Sequence, residues 1–293
     1  MCLGVRLTLR YCVEQLYRTN DDARKLQAQI SYQNSLNWYK SRRGLARISW
    51  ATWAITIVTV AIWCFTAYQV ALAAGAHSLY DILINIWNNT ENGDVLVTYG
   101  AKENTLILQG QYWRFITPIF LHATWLHVGL NMLNLVILGV FVERLVGHLR
   151  FLLIYFVTGI VSIIASFLLM PGEVSVGASG AIFGLVGAYS LFILLHRKAL
   201  PRGGVPAIIW LVVVIGANLS IGLFIPNIDN YAHLGGLLSG CLLGWWFVPH
   251  YALSSRQTMQ DTHSLAYRWP LALFTLLGTF FLAIIALHIG VGG

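Results

Sequence analysis

Seven separate runs of mostly apolar residues divide this 293-residue chain. Each approaches the roughly 20 residues that a helix needs to cross the hydrocarbon core of a bilayer. They extend from Ser49 to Ala74, Leu126 to Val146, Phe151 to Met170, Ser179 to Leu195, Val205 to Ile225, Tyr231 to Val248 and Trp269 to Ile289. A run such as FLLIYFVTGIVSIIASFLLM lacks the alternation of a membrane barrel strand, so helices are the expected way to satisfy the backbone in lipid. Only 10% of residues are charged and 57% are apolar, whereas an ordinary globular domain carries about 25% charge. A disordered chain, a coiled coil and a cytosolic enzyme are thereby set aside. The expected fold class is an all-α polytopic membrane protein.

The net charge of +7 raises a nucleic-acid reading, and the placement of the basic residues answers it. Sixteen of the 18 Lys and Arg residues fall before the first run, in even-numbered connections or, for Arg144, at the end of the second run beside one, leaving Lys102 and Arg114 on the other side. Cytoplasmic segments carry such an excess, so the N-terminus is expected in the cytoplasm and the C-terminus outside. The charge is an orientation signal, and no nucleic-acid partner is expected.

Residues 1–48 form a basic segment, expected to be cytoplasmic and helical, with no apolar stretch of signal-peptide type. Cys2, Cys12, Cys64 and Cys241 form no CxxC pair, which suggests neither a disulfide framework nor a zinc site. Asn88-Asn89-Thr90 matches a glycosylation acceptor, a triplet common by chance. About 50 residues separate the first two runs, with apolar pieces (LYDILINIW, YWRFITPIF) too short to span. Such a loop is expected to be functional or partly embedded, the competing reading being a solvent-exposed outer domain.

Polar groups inside a membrane are costly and so are functional candidates. The second run opens LHVGLNMLN, with His127 and Asn131 on one helical face; the fourth opens with Ser179; the sixth opens NYAHLGG, with His233 in its first turn. All three runs pass from outside to inside in the topology read from charge, so these residues share one depth. Gly236, Gly240 and Gly244 form a stripe below His233, and Gly180, Gly184 and Gly187 give the Ser179 helix a small-residue face. Such faces let membrane helices approach closely.

A serine hydroxyl needs a base within hydrogen-bond reach to become a nucleophile, and close helix contact supplies that reach. The Ser179 amide at a helix start, the Asn131 side chain and His127 are candidate oxyanion donors. A lone Ser or Asn in a membrane helix is ordinarily a packing residue, but four polar groups at one depth on three parallel helices describe acyl transfer by a serine–histidine pair. Asp229, four residues before His233, is expected in an outer turn rather than as a third catalytic member. Phe183, one turn after Ser179, is placed to pack on the imidazole. A metal held by His122 and His127 lacks both an HExxH motif and an acidic companion in a span. No Asp lies in any span, which excludes a two-aspartate site.

With Trp113-Arg114 in the long loop, His127-Val-Gly-Leu-Asn131, Glu143-Arg144, Gly177-Ala-Ser179-Gly180 and Ala232-His233-Leu-Gly-Gly236-Leu-Leu-Ser-Gly240 in this order, residues 100 to 250 resemble the rhomboid intramembrane serine proteases, bacterial-type. The resemblance implies a six-helix catalytic core at 49–250, followed by a linker and seventh helix at 251–293. It implies a cofactor-free, metal-free Ser179/His233 dyad and an oxyanion site from His127, Asn131 and the Ser179 backbone. The long loop would lie in the outer leaflet, anchored by Trp113 and Arg114, and the fifth helix would gate the site. Substrates would be single-pass transmembrane proteins in a lipid bilayer, here a bacterial plasma membrane. Phe183 stands where many members carry Tyr. The alternative is a non-proteolytic, rhomboid-like binder or adaptor of membrane proteins. A small-solute transporter is disfavoured, because no inverted repeat or charged midplane residue is present.

Overall fold

The computed structural model describes residues 22, 48–88, 92–196, 205–224, 228–249, 251–253, 259–261 and 265–292. The expected helix in the basic tail, all nine of its basic residues, and Asn89 and Thr90 of the glycosylation triplet lie outside the described residues. Among the described residues are seven long helices: α1 (Trp50–Ala73), α2 (Trp125–Val146), α3 (His148–Leu169), α4 (Ser179–His196), α5 (Val205–Phe224), α6 (Asn230–Phe247) and α7 (Leu265–Gly292). Their bounds follow the seven apolar runs closely. The largest differences are α3 and α7, which begin three and four residues earlier than expected.

Helices α1, α2, α3, α4 and α7 are long and apolar enough to cross a membrane. Helix α6 has the length but a lower mean hydropathy, since it opens Asn-Tyr-Ala-His and carries four glycines. Helix α4 is apolar on every face, as a helix enclosed by others must be. In its most apolar stretch 61% of residues are buried, against 17% in α7. The main core joins Leu135 and Leu138 of α2, Phe151, Ile154 and Tyr155 of α3, Leu185 and Phe192 of α4, and Leu243 and Phe247 of α6. Helix α7 leans on α3 from outside, Ala286 packing with Ile163, Ile164 and Phe167.

Several helix ends are fixed by distant residues. Ser49 makes no side-chain cap on α1. The carboxylate of Glu143 does so from α2, accepting Ala51 N at 3.0 Å, Thr52 N at 2.8 Å and Thr52 Oγ1 at 2.6 Å. His148 Nδ1 meets the same carboxylate at 2.5 Å. A negative group at a helix N-terminus satisfies orphan N–H donors and complements the dipole. Midway along α2, Leu135–Gly139 is a π turn, a feature often found near functional sites.

The long first loop is built rather than open. Helices Leu79–Trp87, Gly93–Thr98 and Asn104–Leu108 precede two 3-10 turns, Tyr112–Phe115 and Thr117–Phe120. Arg114, 4% exposed, donates to Val97 O and Ala101 O at 2.7 Å and to Gln111 Oε1 at 2.8 Å, closing the loop on itself. Lys102 is fully buried and donates to Met170 O at 2.5 Å and Glu173 O at 2.8 Å. An antiparallel bridge to Ser175 adds to that tie. The loop is thus stitched to the segment that leads into Ser179.

Candidate active site

The chain enters α4 through Gly177, whose φ of 128° lies in the left-handed region that favours glycine. Gly177 N donates to Pro118 O at 2.8 Å, pinning the turn. A Cβ here would sit 2.9 Å from His127 Nε2 and 3.8 Å from Ser179 Oγ. The missing side chain therefore leaves a space flanked by both groups. Ser179 follows as the first residue of α4, its own N–H among the unpaired donors of the helix start.

His233 is placed by the start of α6. Asp229 is the N-cap residue, its carboxylate accepting Ala232 N at 2.8 Å, and His233 N donates to Asp229 O at 3.1 Å. The imidazole Nε2 then lies 2.8 Å from Ser179 Oγ, and the Phe183 ring stacks on it with centroids 4.6 Å apart and planes at 19°. Asp229 caps the helix rather than the imidazole; His233 Nδ1 has no hydrogen-bond partner among the described residues.

That approach depends on glycine. A Cβ on Gly236 would run into the backbone of Gly180, and one on Gly240 into the backbone of Gly184. On the other side of α4, Gly180 and Gly184 face Ser162 and Thr158 of α3. Helix α4 is thus clasped between α3 and α6 at nearly bare backbone, the arrangement that small-residue faces permit.

Helix α2 brings the other polar pair. Thr124 caps it, its hydroxyl accepting His127 N at 3.1 Å, and Asn131 Nδ2 donates to His127 O at 3.0 Å. Asn131, Asn134, Ser179, Phe183 and Trp210 line one cleft between α2, α4 and α5. Ser179, His233, His127, Asn131 and Phe183 are therefore gathered at one place, with Gly177, Gly180, Gly236 and Gly240 as the backbone approaches that permit it. Arg114 acts at a distance, holding the first loop. Trp113 is 55% exposed and makes no buried anchor within the protein.

Some residues of this neighbourhood were not assigned from the sequence. His122, considered there only as a metal ligand, is 1% exposed and its Nε2 accepts the Ala178 N–H at 3.3 Å. Burial, reinforced by the nearby His127, pushes the His122 imidazole down to about 3, so it is neutral at physiological pH. Its ring meets that of His127 edge to face at 4.9 Å. Lys102 is likewise lowered by burial, to about 8. Among the described residues no group of three or more His, Cys, Asp or Glu side chains is placed to hold a metal. Glu143 stood out in the sequence only as the charged Glu143-Arg144 pair within an apolar run, with no capping role assigned; Trp210 carried no signal.

The family described as Rhomboid domain matches residues 109–250. The chain is 46% identical over 158 residues to "Rhomboid protease GluP" of Bacillus subtilis, covering 54% of this chain and 30% of that protein. It is 30% identical over 288 residues to "RHOMBOID-like protein 4" of Arabidopsis thaliana, covering 90% of this chain and 73% of that one. It is 39% identical over 155 residues to "RHOMBOID-like protein 1" of the same plant, with 52% and 39% covered. The chain thus spans under a third of the length of GluP but most of RHOMBOID-like protein 4. With its helices apolar enough to span a bilayer, the chain is a multi-pass integral membrane protein of the rhomboid family.

Proposed function

We propose that this protein is an intramembrane serine endopeptidase that cleaves transmembrane helices of membrane-protein substrates. The observation that carries the reading is the 2.8 Å contact between His233 Nε2 and Ser179 Oγ, on helices that close glycine packing holds together. As Ser179 Oγ attacks the scissile carbonyl, His233 Nε2 takes its proton, then passes it to the leaving amine; water, again deprotonated by His233, releases the acyl group. The oxyanion is received by the Ser179 N–H, a His127 ring N–H and the second amide hydrogen of Asn131. A well-placed donor of this kind contributes about 3 to 4 kcal/mol to the transition state. Phe183 holds the imidazole plane in place of a third polar residue.

The basic residues support a cytoplasmic N-terminus, which puts the site near the outer face, where water is available. The Leu79–Trp87 helix leaves Leu79, Tyr80, Leu83 and Trp87 uncovered by protein, in keeping with a loop lying in the outer leaflet. Substrates of single-pass type with locally unstable helices fit the chemistry, because a stable helix hides its peptide bonds. The test is labelling by a fluorophosphonate probe. Covalent capture of the unsubstituted chain and none of Ser179→Ala is expected; a non-proteolytic binder would take up transmembrane helices without labelling.

A further inference from the structure

The segment 117–124 touches the candidate site at more points than the proposed chemistry uses. Pro118 O accepts the N–H of Gly177, and His122 Nε2 accepts the next N–H along, that of Ala178. Thr124 caps the helix that carries His127, and the His122 ring lies against the His127 ring. One short stretch therefore fixes both the backbone on the near side of Ser179 and the imidazole facing it. Of these contacts, only that of His122 reaches both sides with one side chain.

We propose that His122 is a positioning residue for the nucleophile turn, its Nε2 holding the Ala178 peptide while its ring edge holds His127. The proposal rests on the protease reading above. With the Ala178 N–H accepted by His122, the following N–H, that of Ser179, is left as the donor facing the space beside Gly177. Release of the Ala178 peptide lets the turn rotate, so that N–H and His127 no longer address the same point. An acceptor is required, so a neutral imidazole with its proton on Nδ1 fits and an imidazolium does not. Because the turn meets the substrate only in the reacting geometry, the loss falls on turnover more than on binding.

Three substitutions of the full chain test this in detergent or liposomes. His122→Gln keeps an acceptor near the Nε2 position; His122→Met keeps length and His122→Phe keeps ring bulk, both without a strong acceptor. Thermal unfolding is measured beside the kinetics of fluorophosphonate inactivation, resolved into probe affinity and maximal rate. Expected is a maximal rate at least tenfold lower in His122→Met and His122→Phe, little change in probe affinity, and recovery of most of the rate in His122→Gln. Where His122→Phe does not fold, His122→Met against His122→Gln decides. Equal rates in Gln and Met variants, or losses that follow the unfolding temperature alone, overturn the assignment. Labelling of the unsubstituted chain separates that outcome from failure of the protease reading, which would show as no labelling at all.

Discussion

Ser179 Oγ and His233 Nε2 lie 2.8 Å apart, and the two helices that carry them meet where neither has a side chain, at Gly180 and Gly236. The hydrogen bond and the glycine contact are one arrangement, since the first needs the axial separation that the second permits.

Gly236→Ala tests this coupling. Its Cβ would enter the Gly180 backbone, so α6 must move away from α4 and carry His233 with it. A loss of about 1 to 3 kcal/mol in stability is expected from overpacking, with labelling of Ser179 slowed at least tenfold. Gly278→Ala, where nothing lies within 4 Å, serves as the control and is expected to change neither quantity.

The Phe183 ring stacks on the His233 imidazole, and the proposed mechanism uses that stack to orient it. Stacked aromatic pairs contribute about 0.5 to 1.5 kcal/mol beyond burial, so Phe183→Leu is expected to lower turnover by roughly 2- to 10-fold at similar substrate affinity. Phe183→Tyr keeps the stack and is expected to remain near the unsubstituted rate. Steady-state cleavage assays with both variants separate the two.

Glu143 acts on stability rather than chemistry. Glu143→Ala strands the N–H groups of Ala51 and Thr52 and the Thr52 hydroxyl, three donors that now share one carboxylate. Each buried orphan costs about 1 to 3 kcal/mol. Chemical denaturation is expected to show a loss of at least 3 kcal/mol, while the labelling rate per folded molecule stays the same.

Lys102 gives a pH signature on the loop side. Its folded value of about 8 lies below the ordinary lysine value of 10.5 because burial penalises the charge. Between these limits the unfolded chain binds more protons than the folded one, so stability rises with pH across that window. From pH 7.5 to 10 the unsubstituted protein is expected to gain on Lys102→Met by roughly 2 to 3 kcal/mol. Parallel pH profiles for the two proteins would contradict the buried-ammonium account.

Much of the site was legible because membrane residence makes polarity scarce: Ser179, His233, His127 and Asn131 stand out against apolar runs. The glycine stripe at Gly236 and Gly240 announced the close packing. The seven helices were legible for the same reason, down to a few residues at their ends. Asp229 was placed in a turn by sequence, whereas it caps α6, because a cap and a turn share the same residue types. The remote roles of Glu143, Lys102 and His122 join residues dozens of positions apart, which no local spacing encodes. The π turn midway along α2, at Leu135–Gly139, has no residue type that announces it.

The most direct measurement of the central claim is cleavage of a reconstituted single-pass transmembrane substrate in liposomes, with products identified by mass. Cut products within the membrane segment from the unsubstituted chain are expected, with none from folded Ser179→Ala or His233→Ala. Undiminished cleavage by either variant, or intact substrate with the unsubstituted chain across a panel of helices containing small residues, would contradict the account.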